Sequence, residues 1–262
     1  MTTPTVEKIG NVVLIRVLWR SFFFQAANNF ERMQNVGFAY CMMPALRTLH
    51  SGPALKAAVE RHLVLFNSHP YLSAALLGAS IRLEEDVAAG RLDPIEVVTF
   101  KQCMMGPLAA IGDSFFWASL RPFVATWAIV GLLSGFLWAP IGFLVLYNLL
   151  HLAVRMYGLW TGYATGQEVG TRIHGLALVK LSGSMHYFAA AFVGIIAAIL
   201  AENAKSSSMA IGDGMEPFLF LVLTLIFLLC LKRRMPMPVV LYGTVSGCIA
   251  LVFVLNTFLP LR

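Results

Sequence analysis

Charge disappears from the chain over residues 122–154, between Arg121 and Arg155. A straight helix needs about 20 apolar residues to cross ~30 Å of hydrocarbon, so this run is too long for one simple span. Pro140 and Gly142 interrupt its middle, and the pattern predicts a broken or re-entrant helix pair split near Pro140. Three more apolar stretches follow. Residues 181–201 and 235–261 can each span, whereas 217–231 is short and needs a tilted neighbour or a thinned bilayer. Lys232-Arg233-Arg234 separates the last two, and the excess of basic residues in cytoplasmic loops places this turn inside. Residues 202–216 carry three acids and one Lys, so they fall outside. Gly243 and Gly247 have the spacing of a helix-packing pair, a pattern that also arises by chance in apolar helices.

Residues 1–121 follow a different pattern. They hold 11 of the 19 Lys and Arg and nine of the 13 Asp and Glu, and they read as short amphipathic helices. Over residues 9–24, Arg16 and Arg20 lie one turn apart while Val13, Val17 and Phe24 share another face. Ser51-Gly52-Pro53 opens a helix that carries the Lys56–Glu60 pair and stops near Asn67, before Pro70. Asp93-Pro94-Ile95-Glu96 is a start signal with Asp as N-cap, Pro at the first helical position and Glu at the third. Gly106-Pro107 is expected to break or turn that helix. The runs 63–66, 71–81 and 111–120 are too short for simple spans and suit core or re-entrant helices. The expected fold is an all-α integral membrane protein. Residues 1–121 form an amphipathic and re-entrant helical region; 122–262 form a transmembrane region with a broken helix pair and about three spanning helices.

Composition sharpens this picture. The chain of 262 residues is 58% hydrophobic and 12% charged, about half the charged share of soluble domains, and its mean hydropathy is +0.76. The net charge of +6 comes with no basic run longer than Lys232-Arg233-Arg234, which speaks against nucleic-acid binding. Cys41, Cys103, Cys230 and Cys248 lack metal spacing and sit among apolar residues, so they read as buried, inert thiols. Residues 1–10 contain Glu7 and Lys8 and no signal-peptide apolar core, which points to a cytoplasmic N-terminus.

Three polar groupings could carry chemistry. The densest is Gln25, Asn28, Asn29, Glu31, Arg32, Gln34 and Asn35, bracketed by aromatic residues. Amides and carboxylates match sugar hydroxyls, and aromatic faces cover the apolar side of a sugar ring; a solvated helix face would have the same composition. Asn67-Ser68-His69-Pro70 is either a helix break framing a substrate or a plain turn. Asp113, after Gly112 in an apolar stretch, either caps the next helix or couples an ion. The six histidines show no metal spacing and there is no Walker A motif, so the expectation is no metal, no cofactor and no catalysis by this chain alone.

These segments resemble the enzyme IID subunit of the mannose/fructose/sorbose family of the phosphoenolpyruvate-dependent sugar phosphotransferase system. The resemblance rests on Asn29-Phe30-Glu31-Arg32-Met33-Gln34 with Gly37-Phe38 and Pro44-Ala45; on Arg61-His62-Leu63 with Phe66-Asn67; and on Leu83-Glu84-Glu85. It continues through Met105-Gly106-Pro107-Leu108-Ala109, Gly112-Asp113, Phe116-Trp117 and Arg121-Pro122 to Asn148-Leu149, Arg155 and Tyr157-Gly158. It implies an all-helical, multi-pass subunit of the bacterial inner membrane. Such a subunit pairs with enzyme IIC to form the sugar channel, as a trimer of IIC–IID heterodimers in membrane lipid, while separate IIA and IIB proteins supply the phosphoryl group. Carried onto this chain, it makes Asn29, Glu31 and Asn67 the sugar contacts. Arg32 and Gln34 hold the geometry of that site, and Asp113 and Arg121 brace a hairpin. Ser114 stands where the family commonly has Pro, and His69 where an amide is common. Residues 165–216 match poorly, which keeps open a structural or regulatory subunit without transport of its own. A third reading is an intramembrane enzyme using Glu31, Asp113 and a His.

Overall fold

The computed structural model describes residues 8–205 and 215–258. Their regular structure is helical, with two isolated β-bridges, Asn29–Met33 and Met33–Phe66, and no strand among the described residues. The helices are α1 (Asn11–Ser21), α2 (Asn35–Leu49), α3 (Gly52–His62), α4 (Ser73–Ala88), α5 (Pro94–Gly112), α6 (Arg121–Leu133), α7 (Ala139–Thr165), α8 (Val169–Gly175), α9 (Leu178–Lys205), α10 (Met215–Lys232) and α11 (Met237–Phe258). Packing divides the chain into two units, Met1–Phe192 and Val193–Arg262. A division by solvent preference at residue 121 falls within the first unit, inside a continuous helical stretch.

The first unit is built around α4. Nearly every residue of α4 is buried, from Ser73 through Glu85 with only Arg82 partly exposed, which makes it a core helix. It packs on α7 through small residues. A Cβ on Gly78 would lie 2.0 Å from the Leu159 carbonyl oxygen, and one on Gly162 would lie 2.1 Å from that of Ala75. Gly158 and Gly162 thus present a small-residue face that lets the two backbones approach, as expected where packing rather than water drives helix association. The Gly243–Gly247 pair of α11 has no such neighbour: a Cβ on either would meet nothing within 4 Å among the described residues.

The Gly106-Pro107 break does not occur. Helix α5 runs through Pro107 and passes into a π-helix, Asp113–Leu120, which continues into α6. Asp113 is therefore an exposed residue inside a helical stretch, not the cap of a new helix. Internal helical bonding is the cheapest way to satisfy backbone groups in apolar surroundings, so one missing N–H is tolerated. The same stretch shows how a second proline is accommodated. Pro122 cannot donate to the Ala118 carbonyl, and His186 of α9 lies 3.1 Å from that oxygen instead. Ser119 Oγ donates to the Ser114 carbonyl at 2.6 Å, and Ser182 Oγ lies beside both, within hydrogen-bond distance of Ser119 Oγ and 3.2 Å from that carbonyl. Ser114, which departs from the family pattern, belongs to this polar cluster.

The split predicted near Pro140 is present. Helices α6 and α7 form an antiparallel-type pair joined by a short turn over residues 134–138, where Gly135 takes φ 91° and Pro140 lies in the first turn of α7. Two helical stretches, Pro94–Leu133 and Ala139–Leu200, are long and apolar enough to cross a membrane. The second is interrupted by positive φ at Gly166 and Ala177. Helices α9 and α10 contain the first two predicted spanning stretches, and α11 covers the third from Met237 to Phe258; residues 206–214 and the first seven positions lie outside the described residues. Of the cysteines, Cys41 is buried as expected, but Cys103 is exposed on α5. An apolar neighbourhood in sequence did not bury it, because among the described residues nothing covers that face of α5.

Candidate functional site

The two polar groupings of the N-terminal half meet. The segment after α1 folds back on itself: Asn29 and Met33 exchange backbone hydrogen bonds, both 3.0 Å, with Met33 at φ 56°. The residues that follow then pair with the segment after α3. The Gln34 N–H donates to the Phe66 carbonyl (2.8 Å) and the Phe66 N–H to the Arg32 carbonyl (3.3 Å). Side chains complete the joint. The Ser68 N–H donates to Gln34 Oε1 (2.9 Å) and Asn35 Nδ2 donates to the Leu63 carbonyl (2.8 Å). Ser68 Oγ in turn donates to the Met105 carbonyl of α5 (2.9 Å). Gln34 and Asn35 are both buried, so satisfying their amides fixes the register of the two loops.

The sequence candidates separate by role. Glu31 projects outward, its side chain 81% exposed and paired with Arg32 at 3.5 Å. Asn67 is exposed on the adjoining loop. Asn29 is engaged inside the loop: its Oδ1 accepts from the Arg32 N–H (2.8 Å), and its Nδ2 donates to Asn35 Oδ1 (2.9 Å) and to the Met33 carbonyl (3.3 Å). Both of its donors are in use, so Asn29 shapes the loop. Gln34 is buried and its Oε1 accepts from the Ser68 N–H, which joins the two loops. Arg121 lies over the Tyr147 ring at 5.9 Å, spanning α6 and α7. Asp113 is not at a turn and is exposed.

The loops rest on a charged cluster that residue types did not single out. Glu84 of α4 is wholly buried and accepts two bonds from Arg61, both 2.7 Å. His50 Nε2 and His62 Nε2 lie 3.0 and 2.9 Å from its oxygens. Lys101 of α5 lies 3.2 Å from His62 Nδ1, donates to the Arg61 carbonyl, and sits over the Phe38 ring at 4.5 Å. Burial pushes the Glu84 carboxyl upward, but the bonds from Arg61, His50 and His62 outweigh it and hold it well below the usual range. Burial lowers His62 to about 4, with the nearby Lys101 charge acting in the same direction, so its ring is neutral near pH 7. Glu85, next in the chain, binds the Ile9 N–H, Arg82 and the Tyr163 hydroxyl, joining the start of α1 to α7. The sequence clue was the pair Glu84-Glu85 following the apolar run of residues 71–81, where carboxylates facing the core require partners.

A second grouping lies under the Asn67 loop. His69 is buried, stacked on Phe116 (5.2 Å) and in contact with Tyr71 and Trp117 (4.9 Å each). Gly112 makes room for it, since a Cβ there would come 2.3 Å from the His69 ring. Tyr71 stacks on His151 (4.4 Å), its hydroxyl is 3.4 Å from that of Tyr147, and Arg155 lies over its ring at 5.4 Å while bonding Ser21. His69 Nε2, His151 Nδ1 and Arg155 Nε have no hydrogen-bond partner among the described residues. Ring faces beside open polar atoms are the features a hydroxylated ring would meet. No group of three His, Cys, Asp or Glu gathers as a metal site among the described residues.

Residues 8–256 match the family described as PTS system mannose/fructose/sorbose family IID component. The mannose-specific EIID component of Escherichia coli strain K12 is 39% identical over 183 residues, which cover 69% of this chain and 65% of that protein. The fructose permease IID component of Bacillus subtilis is 37% identical over 62% of this chain and 60% of its own length. The sorbose-specific EIID component of Klebsiella pneumoniae is 35% identical over 67% and 65%. The chain thus matches less than two thirds of the length of each of these relatives. Among solved structures, a chain of the mannose transporter ManYZ in complex with microcin E492 superposes with TM-score 0.58 at 31% identity, covering 93% of this chain and 96% of that one. A second membrane protein superposes with TM-score 0.70 at 28% identity over 93% and 97%.

Proposed function

The chain belongs to the mannose/fructose/sorbose family of phosphotransferase-system IID components, and on that premise we propose that it is the IID subunit of a sugar permease in the bacterial inner membrane. It pairs with a IIC subunit to form the channel, in a trimer of IIC–IID heterodimers, while IIA and IIB phosphorylate the sugar as it arrives. The product's charge then keeps it from returning through an apolar barrier. The N-terminus and the Lys232-Arg233-Arg234 turn between α10 and α11 face the cytoplasm, a reading supported by the basic charge of that turn.

One observation carries the assignment: Glu31 and Asn67 stand exposed on two loops that backbone pairing holds as a single unit. A carboxylate accepts from two neighbouring sugar hydroxyls, and an amide both donates and accepts. The loops are anchored on buried Gln34, Asn35 and the Glu84 cluster, so these groups are positioned before the sugar arrives, which limits the ordering cost of binding. Asn29 and Gln34 act as positioning residues, and Arg32 steadies Glu31 through their ion pair.

The test is sugar-dependent uptake and phosphorylation by the complex reconstituted with its IIC, IIB and IIA partners and a panel of hexoses. Glu31→Gln and Asn67→Ala are each expected to lower uptake about tenfold or more, the loss of one hydrogen bond involving a charged or buried partner, with assembly intact. Normal uptake in both variants would remove these residues from the sugar site.

A further inference from the structure

Helix α1 has two apolar faces. Leu14 and Val17 are buried together with Ser21 on one side, while Val12, Ile15 and Trp19 are exposed on the other, continued by exposed Phe22 and Phe23 just past the helix end. At 3.6 residues per turn these sets lie on opposite sides of the helix, and Arg16 and Arg20 occupy the flank between them. Beside that flank, α1 and α2 enclose a groove of about 580 Å³. Arg16, Arg20 and Arg47 line it together with Ile15, Trp19 and Met43. Arg20 is fixed in place: it donates to the Tyr40 carbonyl at 2.9 Å and lies over the Tyr40 ring at 4.6 Å. None of the three arginines forms an ion pair with a carboxylate among the described residues. The groove therefore collects positive charge without a counter-charge among the described residues, and opens onto an apolar strip that none of them covers.

We propose that this groove binds an anionic glycerophospholipid. The phosphodiester sits among Arg16, Arg20 and Arg47, whose planar forks suit phosphate oxygens, and an acyl chain lies along Ile15, Trp19 and Met43. The outward face of α1 rests in the headgroup boundary, the depth that tryptophan and amphipathic helices favour. Charge complementarity selects the headgroup and the adjoining apolar strip selects a lipid over a free anion. The groove is built from residues apart from Glu31 and Asn67, so the assignment stands or falls independently of the sugar site.

The test reconstitutes the full chain in vesicles of equal phosphatidylcholine and phosphatidylglycerol, extracts it gently, and reads the retained lipid by native mass spectrometry. The wild type is expected to retain phosphatidylglycerol over phosphatidylcholine. Arg47→Gln, an exposed single change, should lower that preference about fivefold, the effect of one basic residue near an anionic surface. The variant combining Arg16→Gln, Arg20→Gln and Arg47→Gln should abolish it, and Lys56→Gln on α3 should leave it unchanged. Equal retention by the wild type, Arg47→Gln and the triple variant would overturn the proposal. Displacement of phosphatidylglycerol by inorganic phosphate alone would also overturn it, since the groove would then be a free-anion site. So would loss of a co-purifying acidic protein in the arginine variants with lipid retention unchanged, which would make the groove a protein interface.

Discussion

Glu31 and Glu84 are the same residue type, both next to an arginine partner, and the structure uses them in opposite ways. Glu31 keeps its carboxylate 81% exposed, with one ion pair at 3.5 Å to a half-exposed Arg32. Glu84 is fully enclosed and shares its two oxygens among Arg61, His50 and His62. A surface pair of the first kind contributes little to stability, because water already solvates both charges. The buried group was withdrawn from water and depends on every partner. The loop carboxylate is thus free to meet a ligand, whereas the core carboxylate holds the platform on which that loop stands.

The sharpest way to break this contrast is Glu84→Gln. It leaves the Arg61 guanidinium without its buried counter-charge and should cost about 3–5 kcal/mol, read as a collapse of the melting temperature of the purified protein. Next is Gly162→Val on α7, where even a Cβ would lie 2.1 Å from the Ala75 carbonyl oxygen. Forcing α4 and α7 apart should cost about 1–3 kcal/mol and weaken the platform without touching a charge. Acid should act on the buried cluster, and also on His69 beneath the Asn67 loop, which burial lowers to about 3. His62 is held neutral, near 4 against an ordinary 6.5, so between those values the unfolded chain takes up a proton that the folded chain refuses. Its contribution is complete above pH 6.5 and declines as pH falls toward 4. Glu84, held below its ordinary 4.5, adds a further loss below that value. A melting temperature flat from pH 6.5 to 4.5 would contradict the cluster's geometry. Smallest in stability is Glu31→Gln, expected within about 0.5 kcal/mol of wild type while sugar uptake falls. That split between folding and function is the mark of an exposed binding group.

Much of the architecture was legible. Asp93-Pro94 announces the start of α5, and Asp93 does accept from the Ile95 N–H at 2.9 Å. The split before Pro140 was readable because that proline interrupts an overlong apolar run; Gly142, read with it, lies inside α7, and the turn is made at Gly135. Gly106-Pro107 misled, because a proline's local effect on a helix depends on whether the surroundings offer the backbone anything better, and apolar surroundings do not. The candidate site was legible as composition. Its division of labour was not, since Asn29, Glu31 and Asn67 look equivalent until hydrogen-bond partners are known.

The order of apolar and polar runs, by itself, determined that this chain is helical, that its second half suits a bilayer, and which two loops concentrate hydroxyl-matching side chains. Those properties follow from local propensity and from the transfer cost of each residue, which act at short range along the chain. Only the tertiary structure decided that Phe66 pairs with Gln34, that Arg61 and His62 converge on Glu84 with Lys101 behind His62, and that Gly162 is a close-packing glycine. Each of these joins residues distant in sequence, and their partners are selected by the requirement that buried polar groups and close backbones be satisfied together.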